Sequence, residues 1–474
     1  MRNRFTVAIT TIVLALCSGF AFAADARKEA GVCTLKARTI VLEKQLRELQ
    51  KEIRAVRKTD NYRVNDLTEM FVHGPAIVTS PAMGVRRSAE DASDLVVNLS
   101  SMNEDLTILR LREKMDNYAL EHELPSMERP VIAISGGVEG IIDYKDRENY
   151  IGRKLADINL SKAEFDIVGL ASPWATAVIN VVYEDGTNKH PSRIDNSRFK
   201  LDRGFLTIGQ LSKCPFYLTI GQLFAPFGNY SSNMITDPST KILGRVKDRM
   251  AVLGSVVKSS FGNFDFQVYG FAGDTKRIEV GGYNLIDHGG ANFDYTYAHN
   301  KLKVMVGGSF IGNIMESDGV YDAVVVVDND VYRRIHGLSA RTKISYDMFN
   351  FRAEYVGAGR SFDDRDMTFN NSDIGARPQA LNLEGAVEFK TFNKPSIFAL
   401  GYGRTWEALG LRLPKRNLFV EYNISLIKNT ILGFEYRYDI DYGTSDECYI
   451  DVDNLIRGTG RHSNIFTTKL GVYF

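Results

Sequence analysis

The sequence predicts an all-β transmembrane barrel: sixteen antiparallel strands in up-and-down order, of the outer-membrane type, preceded by a periplasmic α-helical and coiled-coil segment. Three observations predict it. The chain ends on a two-faced strand, with Phe466, Leu470, Val472 and Phe474 on one parity and Thr467, Lys469, Gly471 and Tyr473 on the other. Such a period of two, carried to a terminal aromatic, suits an apolar face against lipid and a polar face against a lumen. The same alternation recurs upstream, and the connections between the alternating segments sort by length.

The alternating segments begin near Val131, Lys154, Ala175, Phe199, Phe216, Met250, Phe264 and Gly290, then near Lys301, His336, Phe351, Leu381, Ser396, Asn417, Thr430 and Asn464. Leu432, Phe434, Tyr436 and Tyr438, for example, alternate with Gly433, Glu435, Arg437 and Asp439. Short connections fall at 172–173, 212–215, 262–263, 299–300, 347–348, 393–395 and 428–429. Long, mostly polar ones fall at 145–153, 185–198, 225–249, 274–289, 313–334, 361–380, 405–414 and 443–463. Strict alternation of the two classes is the pattern of periplasmic turns and external loops. An even strand count leaves both ends of the barrel on the periplasmic side. The third long loop, 225–249, is the longest and sits where sixteen-stranded porins commonly narrow the pore.

Upstream of the barrel, Met1-Arg2-Asn3-Arg4, an apolar run from Phe5 to Leu16, and Ala21-Phe22-Ala23 read as a secretory signal over residues 1–23. No later segment approaches the apolar run of about twenty residues that a membrane helix needs. Within 24–59, Leu35, Leu42, Leu46, Leu49, Ile53 and Val56 step by threes and fours with Thr39 between, about three heptads of coiled coil. This stretch is a candidate homo-oligomer contact, residues 35–56; a single amphipathic helix packed on its own chain reads the same way. Residues 60–130 read as a periplasmic linker and helix. Gly74-Pro75 and Ser80-Pro81 break the linker, and Ser101-Met102-Asn103-Glu104 forms a capping box for a helix to about Leu124. The barrel occupies 131–474.

Composition agrees. A mean hydropathy of -0.18 suits half-apolar strands, while 40 Gly, 27 Phe and 22 Tyr suit turns and interfacial aromatic belts. A net charge of zero gives no footprint for nucleic acid. Cys33, Cys214 and Cys448 remain after signal cleavage, an odd number for an oxidising compartment. No G-x-S-x-G, H-E-x-x-H or Walker loop occurs, so the sequence points away from an enzyme, and no cofactor is expected. The loop acids Asp328/Asp330, Asp363/Asp364/Asp366 and Asp451/Asp453 lack the glycine and distal glutamate of an EF-hand, which favours solvated loops over a metal site.

Three passages carry a family likeness: Gly74-Pro75-Ala76-Ile77-Val78-Thr79-Ser80-Pro81, Ala92-Ser93-Asp94-Leu95-Val96-Val97-Asn98 and Ser101-Met102-Asn103-Glu104-Asp105-Leu106. With the coiled coil before them and the barrel after, they resemble the legiobactin-receptor (LbtU-type) family of siderophore porins. The resemblance implies uptake of a ferric siderophore or similar hydrophilic solute across a Gram-negative outer membrane. Outer-membrane lipid and the barrel assembly machinery are the further partners. It implies no ligand-contacting residue, because its motifs lie outside the barrel. A general diffusion porin and a structural or adhesive barrel are the alternatives.

Strand parity supplies candidate pore-lining residues. Strands nine to eleven give Lys303, Arg341, Lys343, Arg352 and Arg360; strands twelve to fifteen give Glu384, Glu388, Glu421, Glu435 and Asp439, with Lys390 and Arg437 among them. Strands two, three, seven and eight add Glu164, Asp166, Glu184, Asp265 and Asp294. A basic wall facing acidic ones would orient dipolar solutes, whereas mutual pairing would only keep the wall wet and closed.

Overall fold

The computed structural model describes residues 76–79, 102–121, 130–146, 154–185, 197–277, 286–324, 330–370, 373–450 and 454–474. The expected signal peptide, the coiled coil at 35–56, Cys33 and most of the 60–130 linker lie outside these residues. The chain divides into two units, Met1–Ser80 and Pro81–Phe474. The described part of the first is the strand Ala76–Thr79.

In the second unit, period-two sequence becomes sixteen wall strands. They are β1 (Val131–Lys145), β2 (Leu155–Leu170), β3 (Ala175–Asp185), β4 (Ser197–Gly209), β5 (Phe216–Phe224), β6 (Lys247–Ser259), β7 (Gly262–Phe271) and β8 (His288–His299). The second half comprises β9 (Leu302–Ile311), β10 (Gly337–Tyr346), β11 (Phe349–Ala358), β12 (Gln379–Thr391), β13 (Lys394–Trp406), β14 (Arg416–Ile427), β15 (Thr430–Ile440) and β16 (His462–Tyr473). Each strand pairs antiparallel with its sequence neighbours. β1 and β16 pair from Gly137↔Tyr473 to Lys145↔Ile465 and close the sheet on itself. Closure removes the unpaired edges that an open sheet leaves. Phe474 completes the seam, its N–H donating to the Gly136 carbonyl at 3.0 Å.

The short turns keep their tightness through Asn300, Asp347, Asn393 and Asn429, whose φ of 50 to 62° is the left-handed conformation these side chains tolerate best. The outer face is apolar: Phe466, Leu470 and Val472 on β16, Leu206 and Ile208 on β4, and Leu218 and Ile220 on β5 are all exposed. Phe216, Phe261, Tyr346, Phe349 and Phe392 ring the short-turn end as an aromatic girdle. No helix among the described residues is long and apolar enough to cross a membrane.

Among the described residues the interior holds three α-helices: α1 (Glu104–Glu121), α2 (Ser239–Gly244) and α3 (Asp318–Val324). The predicted helix after Ser101 is α1, but its setting differs from expectation. It packs Leu106 and Leu109 on Tyr217 and Val256 of the inner wall, with Leu211 beside them. Glu104 opens the helix instead of closing a capping box at its third position, and its carboxylate reaches Arg203.

Candidate functional site

The lumen is shaped first by the third long loop, Ala225–Val246, which turns inward. Its neck is closed by Ala225 N–H donating to the Val246 carbonyl at 2.9 Å. Beyond the neck, its backbone amides meet three wall glutamates in succession. Asn229 N donates to Glu354 Oε1 at 2.6 Å and Tyr230 N to Oε2 at 2.8 Å. Asn233 N donates to Glu384 Oε2 at 2.9 Å, and the Ser232 hydroxyl donates to the same carboxylate. Ile235 N and Thr236 Oγ1 donate to Glu435 at 2.6 and 2.7 Å. Charge-assisted bonds to backbone N–H groups are among the stronger ones a wall can offer.

The loop's own sequence allows this path. Gly228 takes φ 75° and Tyr230 takes φ 56°, the latter uncommon for a bulky residue and held by the Glu354 carboxylate on its N–H. Phe227, Met234 and Leu243 of the loop are fully buried. Gly244 passes so close to Tyr230 that an added Cβ would lie 2.4 Å from its hydroxyl oxygen. α2 completes the loop, with Lys241 paired to Asp237 at 2.6 Å and Arg245 to Asp318 at 2.7 Å.

Against this framework the sequence-predicted residues separate into groups. Glu384 and Glu435 are buried under the loop as its anchors. Glu421 faces Glu435 across β14 and β15 and accepts from Asn423. Arg437 links Asp439 at 2.9 Å with Thr236 of the loop at 2.8 Å. Arg341 pairs with Asp294 at 2.7 Å, and Arg352 lies 3.8 Å from Glu384. Glu388 accepts from Asn350. Lys343 is half-buried on the lumenal parity, while Lys303 and Lys390 are exposed near the short-turn end. Arg360 lies past the end of β11, exposed, donating to the Arg334 carbonyl at 2.7 Å. Glu184 is part of β3. Arg341, Arg352 and Arg437 thus each have a wall carboxylate within ion-pair distance.

A second element shapes the other side. α1 lies against β3 to β7, with Arg110 paired to Asp265 and Lys258 to Glu113. Arg112 donates to Thr176 Oγ1 at 2.9 Å and to the Ser172 carbonyl. Thr219 Oγ1 donates to Asp105 at 2.7 Å, and Glu104 meets Arg203 at 2.7 Å. Thr219 also pairs with Thr207, 3.0 Å away, and both come from the repeated hexapeptide Leu-Thr-Ile-Gly-Gln-Leu. The repeat therefore supplies a polar seat for the helix.

Arg203 and Glu354 escaped the parity reading for different reasons. Asp202 is an extra residue between the pairs Asn180↔Arg203 and Val181↔Leu201, so strict alternation fails there and both Asp202 and Arg203 turn inward. Glu354 stands two residues after Arg352 on the same parity, and extending that list by one step would have found it. The acids Asp363 and Asp366 act locally: Asp363 pairs with Arg365 at 2.7 Å, and Asp366 accepts from Tyr332 N and Arg333 N. Burial pushes the Asp366 carboxyl up to about 6. Among the described residues no group of three or more His, Cys, Asp or Glu is arranged to hold a metal ion.

No protein-family model matches the chain. It is 33% identical over 425 residues to a UPF0422 protein of Legionella pneumophila, covering 85% of this chain and 78% of that one. It is 33% identical over 436 residues to a UPF0422 protein of Coxiella burnetii, covering 91% and 89%. Among solved structures, the outer membrane channel DcaP of Acinetobacter baumannii overlays with a TM-score of 0.47 at 14% identity, covering 74% of this chain and 99% of that one. The anion-selective porin from Comamonas acidovorans overlays with a TM-score of 0.48 at 9% identity, covering 73% and 100%.

Proposed function

The chain belongs to the UPF0422 protein family, and from that premise we propose that its barrel is an outer-membrane channel for hydrophilic solutes, with a ferric siderophore as cargo. One observation carries the channel reading: the loop Ala225–Val246 is held across the lumen by Glu354, Glu384 and Glu435. A barrel that serves only as an anchor gains nothing from a segment pinned inside it. A channel gains a fixed constriction, because a passage selects by its width and by the donors and charges that line it.

A ferric siderophore brings its iron already coordinated, so its passage requires a shaped polar lumen and no metal ligands. The siderophore reading rests on the passages at 74–81, 92–98 and 101–106, which resemble siderophore porins. Lys303, Lys343 and Lys390 on one arc, with Glu388 near Lys343, are the charges proposed to meet the solute. The apolar belt meets outer-membrane lipid, the strand ending at Phe474 is the element the assembly machinery would read, and residues 35–56 join copies of the chain. A general diffusion porin is the second reading. Pairing of Arg341 with Asp294 and of Arg437 with Asp439 favours it, because paired wall charges discriminate little between solutes.

A strain lacking the protein is expected to grow poorly on its own ferric siderophore and normally on abundant free iron. Equal growth on both would leave the general-porin reading in place and remove the siderophore.

A further inference from the structure

The loop and α1 occupy opposite halves of one lumen. Hydrogen bonds from the loop fall on β9, β11, β12 and β15. Those joining α1 fall on β3, β4, β5, β6 and β7. Residues Ser172, Thr176, Gln210 and Lys258 lie at or beside the short turns, so the C-terminal part of α1 sits at the periplasmic mouth. Its first residue reaches Arg203, six positions inside the end of β4. Eighteen residues of helix span about 27 Å and, with side chains, fill roughly 10–12 Å of width. A sixteen-stranded barrel otherwise leaves an aqueous channel.

The manner of attachment sets α1 apart. The loop is fixed through its backbone N–H groups and continues directly into β5 and β6. Among the described residues, α1 meets the wall through its side chains, and no backbone ladder joins it to the sheet. Two of its ion pairs are open to water on the cation's side: Arg110 is 38% exposed where it meets Asp265, and Lys258 is 52% exposed where it meets Glu113, so water reaches one partner of each and weakens the pair.

We propose that α1 is a releasable plug: docked, it closes the part of the periplasmic mouth that the loop leaves open, and undocked, it opens the channel. The proposal rests on the channel reading and adds its regulation. Opening exchanges the ion pairs and the packing of Leu106 and Leu109 on Tyr217 and Val256 for water, and needs no change in the barrel wall.

The test is single-channel recording of the full-length protein in planar bilayers. Arg110→Asp sets two carboxylates against each other at Asp265 and should raise conductance roughly twofold or more, since it frees a path about as wide as a helix. Adding Asp265→Arg restores the pair with its charges exchanged and should return conductance to the starting level. Equal conductance in the starting protein and a folded Arg110→Asp variant would overturn the plug while leaving the channel standing. Silence in every variant would overturn the channel reading and the plug with it. Should Arg110→Asp fail to fold, Glu113→Cys with Lys258→Cys in a chain otherwise free of cysteine decides the matter through a cleavable bis-maleimide. Conductance that stays low while linked and rises on cleavage supports the plug; conductance indifferent to cleavage overturns it.

Discussion

The two lumenal elements, loop Ala225–Val246 and helix α1, are both packed on the inner wall, yet they are held by different chemistry. The loop spends its backbone donors on three buried glutamates, so its course is written into the wall and cannot shift without orphaning several N–H groups together. The helix satisfies its own backbone internally and meets the wall with side chains. The difference teaches that depth of burial does not measure permanence. Met115 on α1 and Met234 in the loop are equally inaccessible, but releasing the first leaves no backbone group unpaired and releasing the second does.

The largest way to break the comparison is Glu384→Ala. It strips the acceptor from Ser232 and Asn233 and removes the Glu384 carboxylate from beside Arg352. Removing one partner from a buried charged set costs roughly 3–5 kcal/mol. Conductance should rise and become noisy, and the heat-modified form on gels should appear at a lower temperature.

Acidity acts on the helix instead. Burial, with Asp166 and Glu164 leaning on the same Arg203 guanidinium, holds the Glu104 carboxyl up to about 7 against an ordinary 4.5, and burial raises Asp105 as well. A carboxyl with a higher pKa when docked takes up a proton on docking. The docked state is therefore favoured most below pH 4.5 and loses that advantage as pH rises through 7. Between those values docking should weaken by up to tenfold per pH unit. Open probability should rise from acid to neutral, and Glu104→Gln should flatten the profile.

Glu113→Ala removes an exposed pair with Lys258 and should change the open–closed balance by less than about 1 kcal/mol. The smallest expected effect is on labelling. Cys448 is fully buried in the hairpin formed by Glu447–Ile450 and Asn454–Arg457, and burial pushes its thiol up to about 12. A maleimide should label partly exposed Cys214 in the folded protein and spare Cys448. The two should never join, because one lies in a short turn and the other in the last long loop, across an apolar band of about 25 Å.

Much of the wall was legible in the sequence. Every one of the sixteen strands begins within three residues of its expected start, because alternation and turn chemistry are local properties. Thr467, Lys469 and Tyr473 face inward as their parity requires. Legibility stops where one strand carries an extra residue, as at Asp202, and where a contact joins distant segments. That Glu384 anchors Asn233, 151 residues away, leaves no local trace in either stretch. Nor does the pairing of Arg110 with Asp265, 155 residues apart, which turns an apparent periplasmic helix into a lumenal one.

The most direct measurement of the central claim is single-channel conductance of Glu384→Ala, of Arg110→Asp and of the two combined. Since the loop and the helix bond to different strands, their effects should add, as distant independent sites do. Discrete steps in the starting protein, larger steps in each single variant and the largest in the double variant are the predicted result. A silent bilayer, or steps of one size in all four proteins, would contradict it.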